Sequence, residues 1–363
     1  MADVRDRVAL VLPTSTGGIG RHVGSLAAAL VRDGHPVRVL GPREVAERFD
    51  FGAAAFRPVP ISAGLNPARD LPALAALAAG LRGADVVHAH GMRAGLLAAL
   101  ARPRSAPLVV TWHNLLPNNG SGPRQRLLAA LERRLARSAT VHLCASDDLV
   151  DRVLRLGGRD VRPAPVAAPS LPPPRRDAAQ VRAELGAVGR PLVLSVGRLH
   201  QQKGYDLLVD AAARWRGVEP RPLLVIAGDG PERAALTDRI AATGSPVTLL
   251  GHRDDVADLL AACDLAVVSS RWEARQLFAQ EALAAGRPLV CTAVGGVPGL
   301  VCDAAVLVPA GDGDALAGAV EALLADPARR SELAARARDQ AARWPTEADT
   351  VAQVEAVYAE LLE

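Results

Sequence analysis

The chain's 363 residues are half hydrophobic and 22% charged, which at roughly 150 residues per domain is material for about two domains with buried cores. That composition excludes collagen-like, disulfide-scaffold and wholly disordered proteins. A net charge of only +3 excludes a dedicated nucleic-acid binder.

Read in chain order, short apolar runs alternate with longer amphipathic stretches, the pattern of parallel sheets with crossover helices. The first apolar run, Val8 to Leu12, is too short for a signal-peptide core. No stretch approaches the ~18–20 apolar residues of a membrane span. Strands are expected at Val8–Leu12, Val37–Leu40, Asp85–His88, Leu108–Thr111 and Thr140–Cys144, with helices near 20–33, 92–102, 123–138 and 147–156. A proline-rich stretch from Pro163 to Pro174 then removes amide donors and reads as a linker. The pattern restarts with strands at Leu192–Val196, Leu223–Ala227, Val247–Leu250, Leu265–Val268, Leu289–Thr292 and Val306–Val308, and ends in helices near 314–325, 328–342 and 346–362. The expected architecture is therefore α/β, with two doubly wound Rossmann-like domains. Residues 1–165 form the first, 166–176 the linker and 177–343 the second, with ligands bound in a cleft beyond the strands' carboxyl ends.

Charge is uneven along this plan. Residues 1–174 carry 22 arginines against 13 acidic residues, and the remainder 20 basic against 26 acidic. Of the 42 basic side chains all but Lys203 are arginine, so this one position has kept an ammonium where the chain otherwise writes Arg. Cys144, Cys263, Cys291 and Cys302 show no ligand-like spacing and lie in or beside apolar runs. Buried thiols in a reducing cytoplasm are expected.

Three segments carry candidate chemistry. Thr14-Ser15-Thr16-Gly17-Gly18-Ile19-Gly20-Arg21-His22-Val23 follows the first strand. Its glycines permit close approach of a ligand, and the next helix presents free amides suited to phosphate. The dinucleotide spacing fails, because Gly18 and Gly20 are followed by Gly24. A tight strand-to-helix turn is the equal alternative. Second, Ser195-Val196-Gly197-Arg198 through Lys203-Gly204 ends the first strand of the second domain. A forked guanidinium and a compact ammonium together suit a departing diphosphate. Third, Glu273 and Glu281 stand eight positions apart, two carboxylates able to accept hydrogen bonds from sugar hydroxyls.

With these in place the chain resembles family 4 glycosyltransferases, retaining enzymes of the two-domain GT-B architecture. The resemblance rests on Gly17-Gly18-Ile19-Gly20, His88-Ala89-His90, Thr111-Trp112-His113, Arg198 with Lys203, Ala227-Gly228-Asp229-Gly230, Gly251-His252-Arg253 and Glu273 with Glu281, in that order. It implies that Gly18 and Ile19 meet the diphosphate and sugar, and that Arg198 and Lys203 hold the diphosphate. Glu281 would bind ribose and Glu273 the hexose. Gly228 and Arg253 would line the nucleotide, with Arg253 against the base, and His113 would approach the hexose. Leu277 and Phe278 would complete the donor site. The final helix, 346–363, would return to the first domain after Trp344-Pro345. One departure stands out. Where the family often has glycine shortly after the first Glu, this chain has Ala274-Arg275-Gln276, which directs Arg275 towards an anionic donor or acceptor.

Other features take plainer readings. Asp312-Gly313-Asp314 imitates a D-x-D metal motif but precedes a helix, where Asp caps amides. His88 and His90 read as satisfied interior histidines. Asp147-Asp148 and Asp254-Asp255 suit helix starts. The basic stretch Gly122–Ser138, with Arg124, Arg126, Arg133, Arg134 and Arg137 against Glu132, reads first as a core-packed helix with a solvated arginine face. An anionic membrane surface is the alternative.

The expected function is retaining transfer of a hexosyl unit from a nucleoside-diphosphate sugar, UDP by family frequency. No cofactor or divalent metal would take part. The acceptor would be lipid-linked or anionic, and the location cytoplasmic, peripheral to the inner face of the plasma membrane. A non-catalytic nucleotide-sugar binder and a nucleotide-sugar epimerase are the alternatives. Arginine, alanine and glycine usage points to a GC-rich bacterium.

Overall fold

The computed structural model describes residues 6–15, 17–62, 64, 66–114, 122–168 and 171–363. Residues 1–5, Thr16 of the glycine loop and Pro169-Ser170 of the proline stretch lie outside the described residues. The chain divides into two compact units, one of residues 1–169 with 345–363 and one of residues 170–344. Along the first unit run β1 (Val8–Val11), α1 (Gly18–Arg32), β2 (Val37–Gly41), α2 (Arg43–Arg48), β3 (Ala55–Pro58), α3 (Pro67–Gly80), β4 (Val86–His90), α4 (Met92–Ala101), β5 (Leu108–Trp112), α5 (Pro123–Ser138), β6 (Val141–Cys144), α6 (Asp147–Leu156) and β7 (Val161–Pro163). The second contains α7 (Ala178–Glu184), β8 (Leu192–Val196), α8 (Tyr205–Ala212), β9 (Leu223–Ala227), α9 (Arg233–Thr243), β10 (Val247–Gly251), α10 (Val256–Ala262), β11 (Leu265–Val268), α11 (Leu277–Ala284), β12 (Leu289–Thr292), α12 (Val297–Val301), β13 (Val306–Val308), α13 (Gly313–Ala325) and α14 (Pro327–Ala342). The last helix, α15 (Glu347–Leu362), belongs to the first unit.

Both sheets are parallel throughout. Their orders are β3-β2-β1-β4-β5-β6-β7 and β10-β9-β8-β11-β12-β13. In each, the order reverses once, between β1 and β4 and between β8 and β11. Crevices open at such switch points beyond the strands' carboxyl ends.

Parallel strands covered on both faces read as continuous apolar runs, and the second unit shows why. Leu192, Leu194, Val225 and Ala227 face one core, while Val193, Leu224 and Ile226 face another. In α15, Val351, Val354, Val357 and Tyr358 recur at helical spacing and join the first unit's core with Leu10, Leu26 and Val86. A capping box between Thr346 and Asp349 starts this helix just after Trp344-Pro345.

Two strands escape a reading by hydrophobicity. β3 and β7 are edge strands, short and fully buried at no position, each ending in proline. Edge positions need no ladder donor on their outer side, so Pro163 closes a strand where the sequence suggests the start of a linker. Cys302 also departs from expectation. Cys144, Cys263 and Cys291 are buried, but Cys302 is exposed, at the end of α12 with φ +49°.

Candidate active site

At the second unit's switch point the loops after β8 and β11 are fastened together. The Ser195 hydroxyl donates to the Val267 carbonyl across the two strands at 2.7 Å. Beyond the strand ends, the Arg271 amide donates to the Gln202 carbonyl at 2.7 Å, and the Ser269 hydroxyl to the Lys203 carbonyl at 3.0 Å. Gly204 makes this possible. It sits at φ +64°, and a Cβ there would fall 2.2 Å from the Ser269 carbonyl oxygen. The result is an ion pair between residues 70 positions apart: Lys203 Nζ lies 2.6 Å from Glu273 Oε1, which also accepts from the Ser270 hydroxyl at 2.7 Å. Glu273 and Glu281 are both buried. Arg198 is exposed and makes no side-chain hydrogen bond or ion pair with the described residues. Gly228, at φ +147°, closes the same rim, because a Cβ there would lie 1.9 Å from the Gly197 carbonyl oxygen.

At the first unit's switch point the buried polar side chains are chiefly imidazoles. Gly17 and Gly18 border open space, whereas a Cβ on Gly20 would strike the Phe49 ring at 2.2 Å. The glycine run thus divides into two positions facing outward and one packed inside. Ile19 leans on the core. His22 in α1, His88 and His90 in β4, and His113 after β5 are all buried. His88 is satisfied on both sides, its Nδ1 2.6 Å from the Tyr358 hydroxyl and its Nε2 2.6 Å from the Thr111 hydroxyl. His90 is not: Nδ1 lies 3.2 Å from His113 Nε2, while Nε2 has no hydrogen-bond partner. Desolvation lowers His22 to about 4. Desolvation, aided by His22, lowers His88 to about 3. It holds His90 and His113 well below the ordinary imidazole value too. All four are neutral at pH 7.

Several expected site residues are committed elsewhere. Phe278 is a core residue, because the phase of α11 turns it inward with Ala282, so its side chain cannot line a donor site. Leu277, one position earlier, is half-buried at the helix start. Arg253 spends its fork on Asp255, at 2.7 and 2.6 Å, and its remaining nitrogen on Glu184 at 3.0 Å. Those donors are therefore not available to a base. Arg275 lies with Cζ 5.4 Å from the centroid of the Trp344 ring, its Nε donating to Gln280 Oε1 at 3.2 Å. Burial holds it down to about 10. Asp312 caps α13 by accepting from the Ala315 amide at 2.8 Å, and Asp147 and Asp148 occupy the first turn of α6. Sequence reasoning gave His22 no role, although its place one turn after Gly18 was a signal.

The family model for glycosyl transferases group 1 matches residues 177–342, and that for a glycosyl transferase 4-like domain matches residues 17–169. The chain belongs to this glycosyltransferase family. Among its relatives, a glycogen synthase from Mycobacterium tuberculosis is 32% identical over 94% of this chain and 91% of its own length. A D-inositol 3-phosphate glycosyltransferase from Xylanimonas cellulosilytica is 32% identical over 76% and 72%. Solved structures share the GT-B fold. HepE from Anabaena, in complex with UDP, superposes with a TM-score of 0.82 at 21% identity over 98% of this chain and all of that one. WaaG, a glycosyltransferase involved in lipopolysaccharide biosynthesis, does so with 0.75 at 21% identity over 98% and 99%. The enzyme is a glycosyltransferase. No helix among its described residues is long and apolar enough to cross a membrane.

Proposed function

We propose that this glycosyltransferase moves a hexosyl unit from a nucleoside-diphosphate sugar, with UDP favoured, to an acceptor hydroxyl with retention at the anomeric carbon. The bond from the anomeric carbon to the diphosphate breaks, the bond to the acceptor oxygen forms, and the acceptor proton passes to a phosphate oxygen of the leaving group. Arg198 and Lys203 stabilise the charge that develops there, so the step needs no divalent metal. Glu273 and Glu281 take sugar and ribose hydroxyls, and His113 is assigned a hexose contact.

The observation that carries this reading is the cluster at the β8/β11 switch point. It places a free guanidinium, an ammonium and a buried carboxylate on interlocked loops. The complexes of HepE with UDP and with UDP-glucose support the choice of base. The test is thermal stabilisation by UDP-, GDP- and ADP-sugars, with and without EDTA. A ligand at 100 times its Kd adds about 2.7 kcal/mol. Stabilisation by none, or a shift abolished by EDTA, contradicts the reading.

For the acceptor we propose a lipid-linked or anionic molecule met at an anionic membrane. Glu132 in α5 is buried and paired with Arg152 at 2.9 and 2.6 Å. Arg124, Arg126, Arg133, Arg134 and Arg137 are exposed and form no ion pair with the described residues. Leu127 is exposed beside them. Co-sedimentation with anionic but not neutral vesicles checks this, and equal behaviour with both counts against it.

A further inference from the structure

We propose that His22, His90 and His113 of the first unit form a binding site for one zinc-type divalent ion. Three nitrogen donors, one from each ring, lie within 4.8 Å of one another. Zinc–imidazole bonds of about 2.0–2.1 Å set tetrahedral donors about 3.3–3.4 Å apart. His90 Nδ1 and His113 Nε2, at 3.2 Å, already stand near that spacing. His22 supplies the third nitrogen of the group, whose members all lie within 4.8 Å of one another.

Two further observations point the same way. The neighbouring His88 is saturated by Tyr358 and Thr111, so it holds its place against His90, ring centroids 4.3 Å apart, without competing for the ion. The donor set contains imidazoles alone. Zinc, cobalt and nickel accept such a set, whereas magnesium prefers oxygen. Three protein nitrogens leave the fourth position for water or a substrate oxygen.

One consequence rests on the proposed function: an ion held by His113 takes the nitrogen that would meet the hexose, so zinc inhibits transfer. The binding itself does not depend on that reading. The test is calorimetry on the chelator-treated full chain with zinc alone, with cobalt absorption as a second readout. One ion per chain, the visible bands of four-coordinate cobalt and no competition from magnesium are expected. His22→Ala and His90→Ala should each weaken binding at least about tenfold, and Cys302→Ser should leave it unchanged. No uptake, a six-coordinate cobalt spectrum in the unmutated protein, or binding that survives both histidine variants overturns the site. The cobalt spectrum decides even if a variant fails to fold. If zinc binds but transfer is unaffected, the site stands and the role given to His113 falls.

Discussion

The two switch points share one topology and solve different electrostatic problems. In the first unit the buried polar groups around β1 and β4 are neutral imidazoles, of which His88 is held by the Tyr358 and Thr111 hydroxyls. In the second, the residues beyond β8 and β11 are an ammonium, two carboxylates and an exposed guanidinium. The contrast runs against overall composition, since the first 174 residues carry the basic excess. Arginine in the first unit lies instead on surfaces such as α5. On the proposed reading, the placement of a few side chains at the strand ends, and not net charge, decides which lobe handles a polyanion.

The largest expected effect tests the charged end. Replacing Lys203 by Ala should lower turnover more than about 100-fold, because on the proposed reading the ammonium acts where charge develops in the transition state. Lys203→Arg should recover little, since a planar fork does not fit a place built for a compact ammonium against Glu273. Initial rates with a nucleotide sugar, on protein whose circular dichroism matches the parent, decide the matter. Near-normal turnover in Lys203→Ala would dissolve the difference between the two lobes.

The uncharged end should respond in stability. Tyr358→Phe leaves the buried Nδ1 of His88 without its partner, which costs about 1–3 kcal/mol. Denaturant unfolding reads that loss, and the Kd for UDP should stay as it was. A variant as stable as the parent would mean that the 2.6 Å contact contributes nothing net. A changed Kd for UDP would mean that the two lobes are not the independent devices this contrast makes them.

What was legible beforehand follows the same division. Strand and helix placement came through wherever both faces of a strand are buried, as in β8 and β9, because burial writes itself as continuous apolar runs. It failed at β3 and β7, whose edge positions demand little hydrophobicity. Lys203 stood out because it is the chain's one lysine. Its partnership with Glu273 did not, since strand order, which no local spacing encodes, brings β8 beside β11. The burial of Phe278 is legible, because Ala282 and Leu283 supply the helical period that turns it inward. The commitment of Arg253 to Glu184 and Asp255 is not legible in the sequence, where a free guanidinium and a held one look alike. His22 was overlooked since a lone histidine in α1 gains meaning only beside β4 and β5.

The smallest predicted effect concerns thiols, and it extends the comparison from charged groups to groups kept from charging. Desolvation pushes Cys144, Cys263 and Cys291 up to about 12, so at pH 8 only on the order of one in ten thousand of each is the reactive thiolate. The three are also sealed from reagent. Cys302 is exposed, with its sulfur 3.5 Å from the Gln340 side-chain nitrogen. Titration of the native chain with an aromatic disulfide should therefore release one equivalent quickly, and the other three only after denaturant is added. Cys302→Ser should abolish the fast phase and leave turnover intact, because this residue belongs to neither switch point. Two fast equivalents would place a second thiol within reach of solvent, and the fit of Cys144 at the end of β6 would be the first part of the packing to re-examine.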